Sequence, residues 1–436
     1  MKFPKLLTEG IFMKKKILFM SETVTMSHLI RPIKIASQLS PDHYEIHFAA
    51  THIPDFLKNE LRHFKVHQIQ HGVPEKTFLS AIAQGKHPYT ESILKIYVEE
   101  DLKLLKAIKP DLVIGDMRLS LKVSAKLADT PYLNISNSTW DSSAILPLLV
   151  PELPVVKFFG VTLSRLVYSV IKEDVLSQLA KPFNQIAQRY GVSEYGSYYD
   201  VLTSGDYTAY VDLKSLVKCK AYKPNKINVG ALLYSINTSH AVSPVQQKKQ
   251  KQRVVVSLGS SGPTSQLQDM VNTLAELDIE LVVATSGKNI TLPEEQDVIA
   301  APYLPLDQVL ADTDLLIFNG GSGSGYLGLS HGVPLLCIPS NIDQHQFSQA
   351  ISQKGAAGII RSDKLSMKKL KSMVVEMLNN NKSKLAARAI AIEMSEENPT
   401  KEIEKLIATI LESKAFRKKP SNFSTVDSVR ESQIFE

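Results

Sequence analysis

The run Asn319-Gly320-Gly321-Ser322-Gly323-Ser324-Gly325 constrains this chain more than any other segment. It follows an apolar, strand-like stretch, Leu315-Leu316-Ile317-Phe318. Four glycines in seven residues let a backbone approach a ligand closely, and Ser322 and Ser324 add hydroxyl donors. A helix is expected to start within or just after the loop. Its first amides have no acceptor inside the helix. A strand, a glycine loop and a helix N-terminus in series make an anion site, for which a diphosphate is the expected anion. Gly332-Val333-Pro334 then turns the chain into a second apolar strand, Leu335 to Pro339, and Asp343-Gln344 follows it. A carboxylate and an amide in the crevice of a phosphate cradle suit the hydroxyls of a nucleotide sugar.

The rest of the chain reads as an alternation of strands and helices. Lys14-Lys15-Lys16 leads into the buried-strand pattern Ile17 to Met20, then a hydroxyl-rich loop, a helix carrying Ile30, Ile33, Ile35 and Leu39, and a strand from Tyr44 to Ala50. This opening predicts a doubly wound parallel sheet. Further strands are expected at Asp111–Asp116 and Tyr132–Ile135, with helices over 91–107 and Ser120–Ala128. Val201 to Leu213 reads as a strand pair closing the first domain. With 436 residues, two α/β domains are expected rather than one core.

The boundaries follow from composition. Residues 1–12 precede a plausible second start at Met13 and are set aside; 13–234 form the first domain. Residues 235–253, polar and rich in Gln and Lys, form a linker, and 254–398 the second domain, which opens on Val254 to Gly262. Residues 399–415 carry Ile403, Leu406, Ile407 and Ile410 on one helical face, and 416–436 read as a charged, serine-rich disordered tail. Residues 143–172 are apolar and interrupted by Pro147, Pro151 and Pro154, which argues against a spanning helix. They read first as a buried insertion. An apolar acceptor wall and a membrane-facing surface, the latter suited by Lys157, Arg165 and Lys172, are the alternatives.

The glycine loop, Gly-Val-Pro and Asp-Gln together resemble the donor-binding signature of the UDP-glycosyltransferase-like family, which has the GT-B fold. The resemblance is diffuse over residues 13–410 and specific in 315–345. It implies two Rossmann-like, doubly wound domains facing across a cleft, with a terminal helix that crosses back to the first domain. Asn319 stands where the family has a diphosphate-contacting His, and an amide still donates to phosphate. Leu327 stands where the family has an acid on the ribose, which leaves UDP and dTDP both open.

Inverting transfer from a nucleotide sugar needs a base for the acceptor hydroxyl, donors for the leaving diphosphate and a fixed sugar. His28, in the first strand-to-helix loop, is the candidate base, and imidazole suits proton abstraction near neutral pH. It matches the Gly-His loop of the family with Ser27 in place of Gly. Asp116, at the end of another strand, is the candidate orienter of that imidazole, with a helix N-cap as its structural alternative. In the second domain, Ser257, Gly259 and Ser260 form a turn that can touch phosphate. The family places an aromatic residue against the base where Tyr303 stands, and the Leu304 backbone can pair with the base edge. Asn319, Gly321, Ser322, Gly323 and Ser324 are assigned to the diphosphate, and Asp343 and Gln344 to sugar hydroxyls.

The net charge is +6, dispersed in local clusters with no basic strip interleaved with aromatics, so nucleic acid is not an expected partner. The only cysteines, Cys219 and Cys337, are far apart and lack ligand spacing, so no metal site is expected and buried free thiols are. No cofactor is expected beyond the donor substrate. The expected partners are a nucleotide sugar and an apolar or amphipathic acceptor, in a cytoplasmic protein with the membrane's inner face as a contact. A nucleotide-sugar epimerase of the same fold class and a silent sugar-nucleotide-binding protein are the alternatives.

Overall fold

The computed structural model describes residues 14–413 apart from 24, 85–86, 221–222, 235–250, 260–261, 263 and 294–296. The expected tail, most of the expected linker and Ser260 therefore lie outside the described residues.

Two wholly parallel sheets carry the fold. The first contains β1 (Lys15–Ser21), β2 (Tyr44–Ala50), β3 (Lys65–Gln68), β4 (Leu112–Asp116), β5 (Tyr132–Ser136), β6 (Tyr207–Tyr210) and β7 (Lys226–Asn228), in the order β3-β2-β1-β4-β5-β6-β7. The second contains β8 (Gln252–Ser257), β9 (Ile279–Ala284), β10 (Val298–Ala301), β11 (Leu315–Phe318), β12 (Leu335–Cys337) and β13 (Ala357–Ile359), in the order β10-β9-β8-β11-β12-β13. Each order reverses once, between β1 and β4 and between β8 and β11. Crevices for ligands open at such switch points, outside the carboxyl ends of the strands.

The sequence forms these sheets because its strands are apolar on both faces. Ile17, Leu18, Phe19 and Met20 are all fully buried, as are Leu315 to Phe318. Helices cover both faces, the arrangement that parallel sheets require. The helix Pro399–Glu412 buries Ile403, Leu406, Ile407 and Ile410 among Ile17, Phe19 and Ile33, so it packs on the first sheet. Leu213, Leu216, Val217 and Ala231 pack into the core of the second. Glu152 adds a polar staple between the two halves. It accepts from His345 Nε2 at 2.9 Å and from the amides of Ser362 and Asp363 at 3.1 Å.

Two expectations need correction. The stretch 201–213 is not a strand pair: the Ser197 hydroxyl accepts from Asp200 N and starts a short helix, Tyr198–Leu202, before β6. Residues 143–172 are not a buried insertion. Pro154–Phe159 and Val161–Arg189 form two helices broken at Gly160, whose φ of +79° suits glycine. Only the second half of the longer helix is seated, through Leu176, Ala180, Phe183, Ile186 and Ala187. Phe158, Leu166 and Val170 stand 85%, 66% and 79% exposed.

Candidate active site

At the first switch point, Ser21 ends β1 opposite Asp116, the last residue of β4. Asp116 is fully buried. His28 lies in the first turn of the helix Met26–Ala36, and its Nδ1 is 2.8 Å from Asp116 Oδ1. The cap alternative for Asp116 is displaced, because Ser120 is the N-cap of the next helix. Arg31, one turn after His28, lays its guanidinium fork on the same carboxylate, Nε to Oδ2 at 2.9 Å and Nη2 to Oδ1 at 2.7 Å. Burial alone would raise the Asp116 carboxyl, but the charges of Arg31 and then His28 hold it below its ordinary range.

At the second switch point two turns lie side by side. Ser257 ends β8 beside Phe318, the end of β11. Gly259 follows with φ +61°, and a Cβ there would sit 3.3 Å from Asn319 Nδ2. Asn319 Oδ1 accepts from Gly321 N at 3.0 Å, which folds the loop tightly. The helix Ser322–Ser330 begins inside the loop with Gly321 as its N-cap, so the Ser322, Gly323 and Ser324 amides form its first turn. The glycines serve more than ligand approach. Gly320 needs its φ of +82°, and a Cβ on Gly323 or Gly325 would collide with the Tyr234 hydroxyl or the Phe347 ring. Tyr303 stands 67% exposed just after β10, and Leu304 is half-buried against the core.

The two crevices meet. Trp140, on the first domain, donates its indole N–H to Asp343 Oδ1 at 2.9 Å. Asp343 is in the first turn of the helix Ile342–Gln353. Burial raises its carboxyl, opposed by the charge of His28, the Trp140 N–H and the charge of Arg31. Asp343 is thus within electrostatic reach of both His28 and Arg31. Gln344 is buried, and its Oε1 accepts from Ser340 N at 2.9 Å and Ser340 Oγ at 3.1 Å. Its carbonyl oxygen therefore shapes the loop before the helix.

Several neighbours of this site escaped the sequence reading. Burial raises the Tyr234 hydroxyl, opposed by the charge of Arg31 and by the Ser27 side chain, with Asp116 and Asp343 adding to the rise. Asn137 accepts from Arg31 Nη1 at 2.8 Å and donates to Asp212 Oδ1 at 3.0 Å. Tyr326, on the glycine-loop helix, donates to Asp212 at 2.9 Å. Arg31 lies three residues from His28 on a helix and could have been noticed by that spacing. The others have no local signal. Leu327 is 8% exposed and packs in the second core, so it faces the interior. Among the described residues no cluster of three His, Cys, Asp or Glu side chains could hold a metal. No helix there is long and apolar enough to cross a membrane.

Known proteins match this architecture. The family described as "Erythromycin biosynthesis protein CIII-like, C-terminal domain" matches residues 268–410. A PGL/p-HBAD biosynthesis glycosyltransferase of Mycobacterium tuberculosis is 33% identical over 89% of this chain and 90% of its own length. A PGL/p-HBAD biosynthesis rhamnosyltransferase of Mycobacterium bovis is 32% identical over 87% of this chain and 84% of its own. The structure of glycosyltransferase VinC in complex with dTDP superposes with a TM-score of 0.61 at 17% identity, covering 91% of this chain and 100% of VinC. With two parallel-sheet domains meeting at their switch points and relatives of this closeness over nearly its whole length, the chain belongs to the UDP-glycosyltransferase-like family of GT-B glycosyltransferases.

Proposed function

We propose that this glycosyltransferase is an inverting, metal-independent enzyme that moves a hexose from a UDP- or dTDP-sugar to a hydroxyl of an apolar or amphipathic acceptor. The observation that carries the reading is the Trp140–Asp343 hydrogen bond, which holds the proposed sugar-binding carboxylate of the second domain against the first, where His28 pairs with Asp116. In this reading the Ser322, Gly323 and Ser324 amides and Asn319 hold the diphosphate, with Ser257 and Gly259 beside them. Tyr303 offers its exposed ring to the nucleotide base and the Leu304 backbone meets the base edge. Asp343 and Gln344 hold sugar hydroxyls. The acceptor oxygen attacks the anomeric carbon as the bond to the diphosphate oxygen breaks on the opposite face. The acceptor proton passes to His28 Nε2. Asp116 on Nδ1 steadies the imidazolium, and the loop amides meet the charge that develops on the diphosphate.

The exposed apolar face of the helices Pro154–Phe159 and Val161–Arg189 supports an apolar acceptor met at a membrane surface. Phe158, Phe159, Leu163, Leu166, Val167 and Val170 stand exposed on it. Residues 153–172 carry three basic residues and no acidic one, which suits anionic headgroups. Tyr199 links this hairpin to the site: Lys172 Nζ lies 5.4 Å from its ring, and its ring is 6.1 Å from that of Trp140. The dTDP complex of VinC supports a dTDP-sugar as donor, and the relatives in PGL/p-HBAD biosynthesis support glycosyl transfer.

The test is incubation with labelled UDP- and dTDP-sugars and a lipid extract. A labelled adduct that partitions into organic solvent is expected. An altered free sugar nucleotide would instead mean an epimerase, and binding without turnover a silent protein. Flotation with anionic vesicles, compared between the wild type and Phe158→Ser/Val170→Ser, tests the membrane contact.

A further inference from the structure

A chain of buried polar side chains runs from His28 across the domain boundary. Asp116 takes His28 on one side and the Arg31 fork on the other. Arg31 passes to Asn137, Asn137 to Asp212, and Asp212 to Tyr326 on the helix that starts in the glycine loop. Arg31, Asp116 and Asp212 are all buried, where hydrogen bonds are strong and unpaired charges costly. Leu213 N also donates to the Tyr326 hydroxyl at 3.1 Å, so the end of the chain is held on both sides.

We propose that Arg31 is a positioning residue of the transfer reaction, which sets the charge and orientation of the His28–Asp116 pair and ties that pair to the donor-loop helix of the other domain. The inference rests on the reading of His28 as the base. Two donors converge on one oxygen, Nδ1 of His28 at 2.8 Å and Arg31 Nη2 at 2.7 Å from Asp116 Oδ1, and they stand 3.0 Å apart. With Asp116 as its acceptor, Nδ1 carries the proton and Nε2 is left to accept. The fork fixes the plane of the carboxylate, and through it the ring.

The charge consequence is as direct. Arg31 and Asp116 cancel, so the pair with neutral His28 carries no net charge, and with the imidazolium it carries +1. A bare carboxylate would favour the imidazolium and spend the base before substrate arrives. The other groups facing this site are Asp343, from the helix Ile342–Gln353, and Tyr234, from the segment after β7. Burial raises the Asp343 carboxyl, opposed by the charge of His28 across the cleft and by the Trp140 N–H. Tyr234 is held neutral by burial, which raises its hydroxyl.

The experiment follows the His28 imidazole by nuclear magnetic resonance in [15N]histidine-labelled protein without substrate, its signals assigned by their loss in His28→Gln. In Arg31→Gln the ring is expected to titrate about one pH unit higher than in the wild type, because the Asp116 charge is no longer cancelled. The acid limb of the pH–rate profile should move the same way. An unchanged titration in folded Arg31→Gln would overturn the proposal. A merely structural arginine would lower the rate evenly at every pH. Should Arg31→Gln not fold, Arg31→Lys decides. An ammonium cannot span both Asp116 oxygens and Asn137, so kcat should fall about tenfold or more with the donor KM unchanged. A wild-type kcat in that variant would equally overturn the proposal. The titration needs no turnover, so failure of the transferase reading would show separately, as absence of product from the wild type.

Discussion

Trp140 Nε1 donates to Asp343 Oδ1 at 2.9 Å, and that bond joins a short helical turn after β5 of the first sheet to a helix start of the second. It places the proposed sugar-binding carboxylate against the first domain, where His28 and Asp116 lie. Its removal should therefore affect the sugar and spare the nucleotide. In Trp140→Phe, a hydrogen bond to a charged group is lost, a term of about 1.5–3 kcal/mol. The KM for a UDP- or dTDP-sugar is expected to rise about tenfold or more, with calorimetric affinity for the free nucleotide unchanged. Equal losses for both ligands would assign the bond to domain closure alone.

His28→Ala should remove transfer, by about 10²–10⁴-fold in rate, and leave nucleotide binding nearly intact. The donor loop and His28 belong to different domains, so the two readouts separate. Full activity in the variant would take His28 out of the mechanism.

The Asp116–Arg31 pair makes a prediction about stability. Asp116→Asn leaves a buried guanidinium without its carboxylate, a loss of about 3–5 kcal/mol. The Asp116 carboxyl is held below its ordinary range in the fold. Its stabilisation is thus fully present above about pH 4 and is lost as pH falls through the lower, folded value. Urea midpoints of wild type and variant should differ most at pH 7 and draw together as pH falls below about 4. A gap that widened on acidification would contradict the assignment.

Leu327 separates two views of the nucleotide site. Because it is buried in the second core, Leu327→Glu should destabilise by roughly 3–5 kcal/mol through an unpaired buried charge. It should not create a preference for UDP. In the wild type, UDP and dTDP forms of one sugar are expected to bind within about tenfold, as in a site with no carboxylate committed to the ribose hydroxyls. Calorimetry with both forms checks the second statement, and urea unfolding the first. A stable Leu327→Glu protein with sharpened UDP preference would show that the side chain faces the ribose.

Much of this protein was legible in one dimension. Apolar runs such as Ile17–Met20 and Leu315–Phe318 identify strands covered on both faces, and their alternation with helical repeats identifies doubly wound sheets. His28, Asp116, Asn319 and Asp343 could be picked out because each follows or ends a strand, where parallel sheets open to ligands, and because the family resemblance points to those positions. Glycine-rich spacing located the donor loop, but not why each glycine is there. That Gly323 lies under the Tyr234 hydroxyl and Gly325 under the Phe347 ring is a fact of packing.

What only the tertiary structure decided has one physical cause: side chains distant in sequence share charges and hydrogen bonds that no local pattern encodes. Arg31 and Asp116 are eighty-five positions apart, Trp140 and Asp343 two hundred and three. The apolar stretch 143–172 failed for the same reason. Its composition resembles a core segment, yet the fold seats only the later half of its long helix and leaves Phe158, Leu166 and Val170 in the open. Hydrophobicity is a property of the residue, whereas burial depends on what the rest of the chain brings to cover it.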